Sequence, residues 1–125
     1  MAKVQQLTVS LENRPGTLAH LAKVLADARV TVVALLGSTA GAQGSAQVVV
    51  DSVNRAKKAL DRAGLSYTEL TLEQVELENK PGALAEYAWK LAKKGINIDS
   101  AYVTAPKGAE KAVLLLATSS LATRL

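Results

Sequence analysis

Cysteine is absent from this chain, and so is phenylalanine. Without cysteine there is no disulfide framework, no zinc site built on thiolates and no cysteine nucleophile. The aromatic side chains are limited to one tryptophan and three tyrosines. Nearly half of the 125 residues are nevertheless hydrophobic. The core must therefore consist of Val, Leu, Ile and Ala, in an amount that suits one ordinary domain or two very small ones.

Long hydrophobic runs and a strong excess of one charge are also lacking. No apolar stretch reaches the length that spans a bilayer, and residues 1–6 lack the apolar segment of a secretory signal. The formal net charge is +4, and the densest basic cluster, between Arg55 and Arg62, is expected on the solvated face of a helix rather than at a phosphate site. These features predict a soluble, cytoplasmic protein with no membrane partner.

A repeated segment organises the rest of the chain. Residues 11–40 align without a gap with residues 77–106, and both contain the pattern Leu-Glu-Asn-x-Pro-Gly-x-Leu-Ala. The same spacing pairs residues 46–50 with residues 112–116. Two copies of this length predict a duplicated domain rather than a solenoid.

Hydrophobic periodicity predicts the elements of one copy. Apolar residues alternate from Leu7 to Leu11, which favours a strand, and an apolar stripe at helical spacing begins at Leu18. The predicted order is a strand at 7–11, a helix at about 15–28, a buried strand at 30–36, a strand at 46–50, a helix at 53–63 and a strand at 66–72. This βαββαβ order predicts an α+β, ferredoxin-like unit, which is an antiparallel sheet with its helices on one face.

The second copy repeats this order but is incomplete. Its first helix is expected at about 81–94, and the sequence stops where the second helix would be forming, so the copy is either degenerate or has its missing edge supplied by another segment or another chain. Apolar parity changes between Leu72 and Val75, which predicts two successive strands with a bulge or change of sheet near Glu73. The predicted domains are residues 1–71 and 72–125, the second truncated after its third strand.

The candidate site is the turn before the first helix of each copy, from Asn13 to Gly16 and from Asn79 to Gly82. A helix N-terminus presents unpaired N–H groups and a positive dipole end, and glycine lets a ligand approach the backbone. The asparagine adds a hydrogen-bond donor and an acceptor. This combination suits the carboxylate and ammonium of a free amino acid. The alternative interpretation is that Asn-x-Pro-Gly is only a favourable way to start a helix.

The repeated pattern, followed by a helix and by Gly-Ile-Asn-Ile at residues 95–98, resembles the ACT domain, a family of regulatory modules of amino-acid metabolism. The resemblance covers nearly the whole chain, twice. It implies that an amino acid binds where two domains meet, held by this turn and by a residue at the start of the second strand. The implied ligand-binding residues are Asn13, Gly16, Thr17, Leu18 and Thr31 in the first copy, and Asn79, Gly82, Ala83, Leu84 and Asn97 in the second.

The second turn is predicted to be the better site, because Asn79 and Asn97 both offer amides while the first copy has Thr31 at the strand position. In serine-binding members of the family a histidine often precedes the motif. Leu11 and Leu77 stand at that place here, which favours a more apolar amino acid.

Competing functions are an enzyme, a nucleic-acid-binding module and an interaction subunit. No nucleophile–base pair, metal cluster or cofactor motif is visible, so no catalytic residue, metal or cofactor is predicted and the chain is not expected to be an enzyme. The predicted central strands carry no aromatic rings, which disfavours nucleic-acid binding. A subunit that assembles with an amino-acid biosynthetic enzyme without binding ligand itself stays open. A homodimer or larger assembly is predicted, since residues 30–36 are apolar on both faces of a strand.

Overall fold

The structure, a computed structural model, describes residues 2–118. They form two compact units, the first-repeat unit (residues 5–70) and the second-repeat unit (residues 2–4 with 71–118). The elements are β1 (Ala2–Glu12), α1 (Thr17–Asp27), β2 (Val32–Ala40), β3 (Gln43–Val50), α2 (Val53–Arg62), β4 (Tyr67–Glu78), α3 (Ala83–Lys93), β5 (Ile98–Thr104) and β6 (Lys111–Thr118). The predicted α+β class and βαββαβ order are confirmed, and the second copy follows with βαββ.

The first-repeat unit is a four-stranded sheet in the order β2-β3-β1-β4. β3 pairs antiparallel with both β1 and β2, so that Val48 lies between Leu7 and Leu35. Alternate residues of the sheet and one stripe of each helix form the core, which includes Leu7, Val9, Leu21, Leu25, Ala46, Val48, Ala56 and Leu60. The predicted helical stripe is therefore the one that packs on the sheet.

Both repeat helices begin about two residues later than the periodicity predicts. α1 starts at Thr17 and α3 at Ala83, and the residues before them, Gly16 and Gly82, have φ values of +91° and +88°. A left-handed residue cannot belong to a right-handed helix, so Pro15 lies in the preceding turn and not in the first helical turn. Glycine is required at this position because it adopts positive φ without steric cost.

The predicted burial of residues 30–36 is wrong for most of this stretch. Val30 is buried, but Val33 is 63% exposed and Leu35 is 43% exposed. The reason is the position of β2, which is an edge strand of its unit and has β3 as its neighbour. An edge strand that carries apolar residues on both faces is a surface that proteins usually protect.

β4 runs unbroken from Tyr67 to Glu78, so the prediction of two separate strands near Glu73 is wrong. No glycine or proline interrupts this stretch, and the backbone stays free to pair along its whole length. The predicted change in the alternation of buried residues does occur, because the adjacent residues Leu72 and Glu73 are both buried. It falls where the strand passes from one unit to the other.

The second-repeat unit has the strand order β1-β4-β6-β5, to which β1 contributes residues 2–4. Its core contains Val75, Leu91, Leu114 and Leu116. In a complete unit the position beside the first strand belongs to the fourth strand, and here the start of β1 occupies it. The expected stub of a second helix would fall on residues 119–125, which lie outside the described residues.

Strand pairing corrects the gapless repeat beyond the first hairpin. Leu7 lies opposite Val48, while its counterpart Glu73 lies opposite Leu116. Positions 7 and 73 differ by 66, whereas positions 48 and 116 differ by 68. The β5–β6 hairpin is therefore two residues longer than the β2–β3 hairpin, and the structural counterpart of Ala46 is Leu114 rather than Ala112.

Candidate functional site

Asn13 joins the turn before α1 to the tip of the β2–β3 hairpin. Its backbone N–H donates to the carbonyl oxygen of Ala42 at 2.9 Å, and its side-chain Nδ2 donates to the carbonyl oxygen of Gly41 at 2.8 Å. The donor group of this side chain is thus already engaged by the protein. Asn13 fixes the hairpin relative to the start of the helix.

Asn79 makes the same pair of bonds in the second-repeat unit. Its backbone N–H donates to the Glu110 carbonyl at 2.9 Å, and Nδ2 donates to the Ala109 carbonyl at 2.9 Å. The bonds are formed although this hairpin is two residues longer. Both asparagines therefore have a structural role that the helix-start interpretation alone did not predict.

The backbone at the start of α1 presents N–H groups that have no partner within the helix. The hydroxyl oxygen of Thr17 lies 2.8 Å from the Glu12 carbonyl and 3.1 Å from the Arg14 carbonyl, which ties the first helical residue to the turn. The N–H groups of Leu18 and Ala19 come before that of His20, the first to donate within the helix, to the Gly16 carbonyl oxygen, so the helix itself supplies no partner for them. Together with the helix dipole they favour a negatively charged group.

A cavity of about 480 Å³ lies beside this turn, within the first-repeat unit. Its lining includes Gly37 of β2 and Ala46 of β3, which lie opposite each other in the sheet and are called here the floor of the cavity. Leu18 forms part of its wall and is 46% exposed. The lining residues are Leu11, Glu12, Asn13, Arg14, Pro15, Gly16, Thr17, Leu18, Gly37, Ser38, Thr39, Gly44, Ser45 and Ala46.

This cavity brings together Asn13, Gly16, Thr17 and Leu18, four of the five residues implied for the first copy. The strand residues from Gly37 to Ala46 were not predicted. Their signal is present in the sequence as a difference between the repeats, since Val103 stands at the counterpart of Gly37. This difference points to the cavity only once the pairing of the strands is known, and the sequence does not give that pairing.

The second turn borders a smaller and more highly charged cavity of about 360 Å³. Lys80 and Ala83 line it, and Gly82 and Leu84 do not. The remaining lining residues are Glu76, Leu77, Glu78, Glu86, Tyr87, Lys90 and Lys111. The first turn therefore borders the larger of these two cavities, whereas the two amides of the second copy favoured the other turn.

Charged groups at both turns pair with each other. Arg14 Nε lies 2.6 Å from the Glu12 carboxylate, and Lys80 Nζ lies 2.7 Å from the Glu78 carboxylate, all of them exposed. The pKa of Glu78 is lowered mainly by the hydrogen bond from Lys80 and secondly by the positive charge of Lys80. The same hydrogen bond raises the pKa of Lys80. Burial raises the pKa of Tyr87, with a smaller contribution from the charge of Glu73.

Thr31 and Asn97 do not join the turns of their own units. β2 begins beside Val50 of β3, whereas the Asn13 turn lies beside Gln43 at the other end of that strand. Seven residues of strand separate these ends, which is about 23 Å. Thr31 instead donates its N–H to the Asp51 carboxylate at 2.9 Å. The side chain of Asn97 donates to Asp99, also at 2.9 Å.

Within residues 2–118 there is no group of three or more His, Cys, Asp or Glu residues that could hold a metal ion. In the same part of the chain, no helix is long and apolar enough to cross a membrane.

A family model described as an ACT domain pair matches residues 2–123. No curated protein matches the sequence. Among solved structures, a protein from Bacteroides thetaiotaomicron is 26% identical with a TM-score of 0.90, and the match covers 97% of this chain and 83% of that chain.

Two further structures are similar at lower identity. The regulatory subunit of aspartate kinase from Thermus thermophilus, in its ligand-free form, is 17% identical with a TM-score of 0.65, over 91% of this chain and 82% of that one. A structure of aspartokinase alpha and beta subunits is 19% identical with a TM-score of 0.60, over 99% of this chain and 93% of that one. At these identities the likeness establishes the fold.

Proposed function

This chain belongs to the ACT domain family as a pair of such domains, and from that premise we propose that it is a non-catalytic, cytoplasmic regulatory protein that binds a free amino acid. The observation that carries the proposal is the cavity beside the Asn13–Leu18 turn, where an open pocket meets the start of a helix. Similar folds in regulatory subunits of aspartate kinase support a regulatory role and an enzyme partner in amino-acid biosynthesis.

In the proposed complex the α-carboxylate of the ligand accepts hydrogen bonds from the backbone N–H groups of Leu18 and Ala19, since that of Thr17 already donates to the Arg14 carbonyl oxygen. The helix dipole adds to these bonds, and no charged side chain is needed. Ser38 and Thr39 line the same cavity, and we assign the acceptor for the ammonium group to the Thr39 hydroxyl, because Thr39 shares the strand face of Gly37. Gly82, Ala83 and Leu84 form the corresponding but weaker place in the second-repeat unit.

We propose that a second copy of the chain completes the site. Thr31 and Asn97 lie at the far ends of their sheets, so they reach a ligand only at a turn that belongs to another domain. The exposed apolar residues of β2, with Val33 at 63% and Leu35 at 43%, provide a surface for such a homodimer. Ligand binding between copies would couple occupancy to assembly, which is the basis of an allosteric response.

The second candidate function is an interaction subunit that assembles with an amino-acid-metabolism enzyme and binds no ligand itself. Trp89 favours it, because this side chain is 66% exposed on α3 and lies beside Lys90 and Lys93. Exposed tryptophans are enriched among the residues that dominate protein interfaces.

The test is a thermal-shift screen of the twenty amino acids, followed by calorimetric titration of the best ligand. A ligand that binds only the folded state stabilises it by about 2.7 kcal/mol at a hundred times its Kd. The informative variant is Leu18→Glu, because a carboxylate in the first helical turn suits the helix dipole but repels a ligand carboxylate. We expect it to fold normally and to weaken binding at least about tenfold.

The control is Asn54→Glu, since Asn54 is exposed in the first turn of α2 and lines neither turn's cavity. It should leave binding nearly unchanged. If none of the twenty amino acids shifts the unfolding midpoint, the interaction-subunit function is favoured instead. If Leu18→Glu binds as the wild type does, the first turn is not the site.

A further inference from the structure

We propose that the cavity of the first-repeat unit selects an amino acid with a bulky aliphatic side chain, and that the missing side chain at Gly37 admits it. This inference rests on the proposed function and adds the class of ligand and the residue that sets it. It requires that Gly37 has no folding role that would explain its small size.

The backbone gives no reason for glycine at position 37. Its φ is not in the left-handed region, and a Cβ built on it would meet no atom within 4 Å. Gly44, which lines the same cavity, is different, because a Cβ there would lie 3.1 Å from the Ser38 carbonyl oxygen. Gly37 therefore leaves space that the fold does not need, and that space belongs to the cavity.

The second-repeat unit carries larger side chains at the same place, of which Leu114 is buried and Val103 is 46% exposed. Gly37 lies opposite Ala46 in the first-repeat unit, and the corresponding opposed pair of β5 and β6 is Val103 and Leu114. Leu114 is 3% exposed and belongs to the core of its unit. The two turns therefore start from similar helix geometry, but the first alone of these two has an open floor beneath it.

The lining of the cavity is suited to an uncharged side chain. Leu11, Leu18 and Ala46 supply apolar contacts. The charged residues of the lining, Glu12 and Arg14, lie 2.6 Å apart and neutralise each other. A ligand with a lysine or aspartate side chain would have to break this pair to gain a counterion, whereas an aliphatic side chain buries its methylenes.

The expected preference follows from the buried carbons. Each buried methylene strengthens binding by about fourfold. Leucine and isoleucine have three more side-chain carbons than alanine, so they should bind up to roughly sixtyfold tighter if all three are buried. Gly37→Val, which introduces the side chain of the counterpart Val103, should remove this preference for leucine and isoleucine over alanine.

The experiment is calorimetric titration of the full chain with leucine, isoleucine, alanine, lysine and aspartate, for the wild type, Gly37→Val and Ala40→Val. Ala40 is an exposed residue of the same strand that does not line the cavity, so Ala40→Val is the matched control. Thermal midpoints verify that both variants are folded, and Gly37→Ala gives a milder version of the same change.

We expect the wild type and Ala40→Val to bind leucine or isoleucine at least about tenfold tighter than alanine. Gly37→Val should lose at least about tenfold in its affinity for leucine and isoleucine, with little change in its affinity for alanine. A folded Gly37→Val that keeps the preference, or a wild type that binds lysine or aspartate best, overturns the inference while amino-acid binding itself stands. A wild type that binds none of the twenty amino acids overturns the proposed function.

Discussion

Replacing Asn13 by alanine tests whether the asparagine of the repeated turn serves the fold or the ligand. The substitution removes one hydrogen bond, from Nδ2 to the Gly41 carbonyl at 2.8 Å, and keeps the backbone bond to Ala42. A neutral hydrogen bond of this kind contributes about 0.5–1.5 kcal/mol to stability. The freed carbonyl is exposed and takes up water, so no buried group is left unpaired.

We therefore expect Asn13→Ala to lower the free energy of unfolding by about 1 kcal/mol. Asn79→Ala should cost at least as much, since its Nδ2 donates to the Ala109 carbonyl at 2.9 Å and also to the Pro106 carbonyl at 3.4 Å. Asn13→Asp keeps the shape of the side chain but replaces the donor with an acceptor facing a carbonyl, so it should cost at least as much at neutral pH. Asn54→Ala, at an exposed position on α2, is the control and should be neutral or slightly stabilising.

The assay is urea denaturation of the single variants and of the Asn13→Ala, Asn79→Ala double variant. The two residues share no partner, so their costs should add within about 0.5 kcal/mol. Unchanged stability together with a large loss of amino-acid affinity would refute the reasoning, because the Nδ2 groups would then serve the ligand rather than the hairpins.

Two further predictions concern the second turn. Gly82→Ala forces a side chain onto a backbone with φ +88°. This strain costs about 1–2 kcal/mol, and the stiffer unfolded chain offsets about 0.4–1 kcal/mol of it, so urea denaturation should show a net loss of stability of up to about 1.5 kcal/mol. An alanine variant at least as stable as the wild type would contradict this prediction. Lys80→Met removes the partner that lowers the pKa of Glu78; the benefit of that pair is present above the unfolded pKa of Glu78 and disappears as pH falls through its lower folded pKa. The small stability gap between wild type and Lys80→Met should therefore close in acid, and a gap that persists at pH 2 would show that Lys80 acts through packing instead.

The positions of the helices could be predicted from the sequence because each buries one stripe at helical spacing. Leu21 and Leu25 both belong to that stripe and are 1% exposed. The start of α1 was harder to predict, since proline is common in a first helical turn. The left-handed backbone of Gly16 leaves Pro15 two residues before the first helical residue, Thr17, and glycine alone does not reveal the sign of φ.

The burial of β2 and the register of β6 could not be predicted for a different reason. An all-apolar strand has no two-residue pattern to fix which face is buried or which partner lies opposite. In sequence, residues 46–50 therefore match residues 112–116 as well as they match residues 114–118, which are their counterparts by strand pairing. The insertion becomes visible only from the pairing of Glu73 with Leu116.

The two repeats separate the structural part of the shared motif from the part that distinguishes the units. The asparagine bonds and the left-handed glycine occur in both units, and the bonds survive a hairpin that is longer by two residues. A feature that both units share is explained by the fold, because it occurs beside two cavities of different size and lining. The open floor at Gly37 differs between the units and has no backbone requirement. The proposed binding needs both an anion site and space for a side chain, so in that proposal the duplicated turn supplies the first in each unit and the unduplicated floor decides which unit can use it.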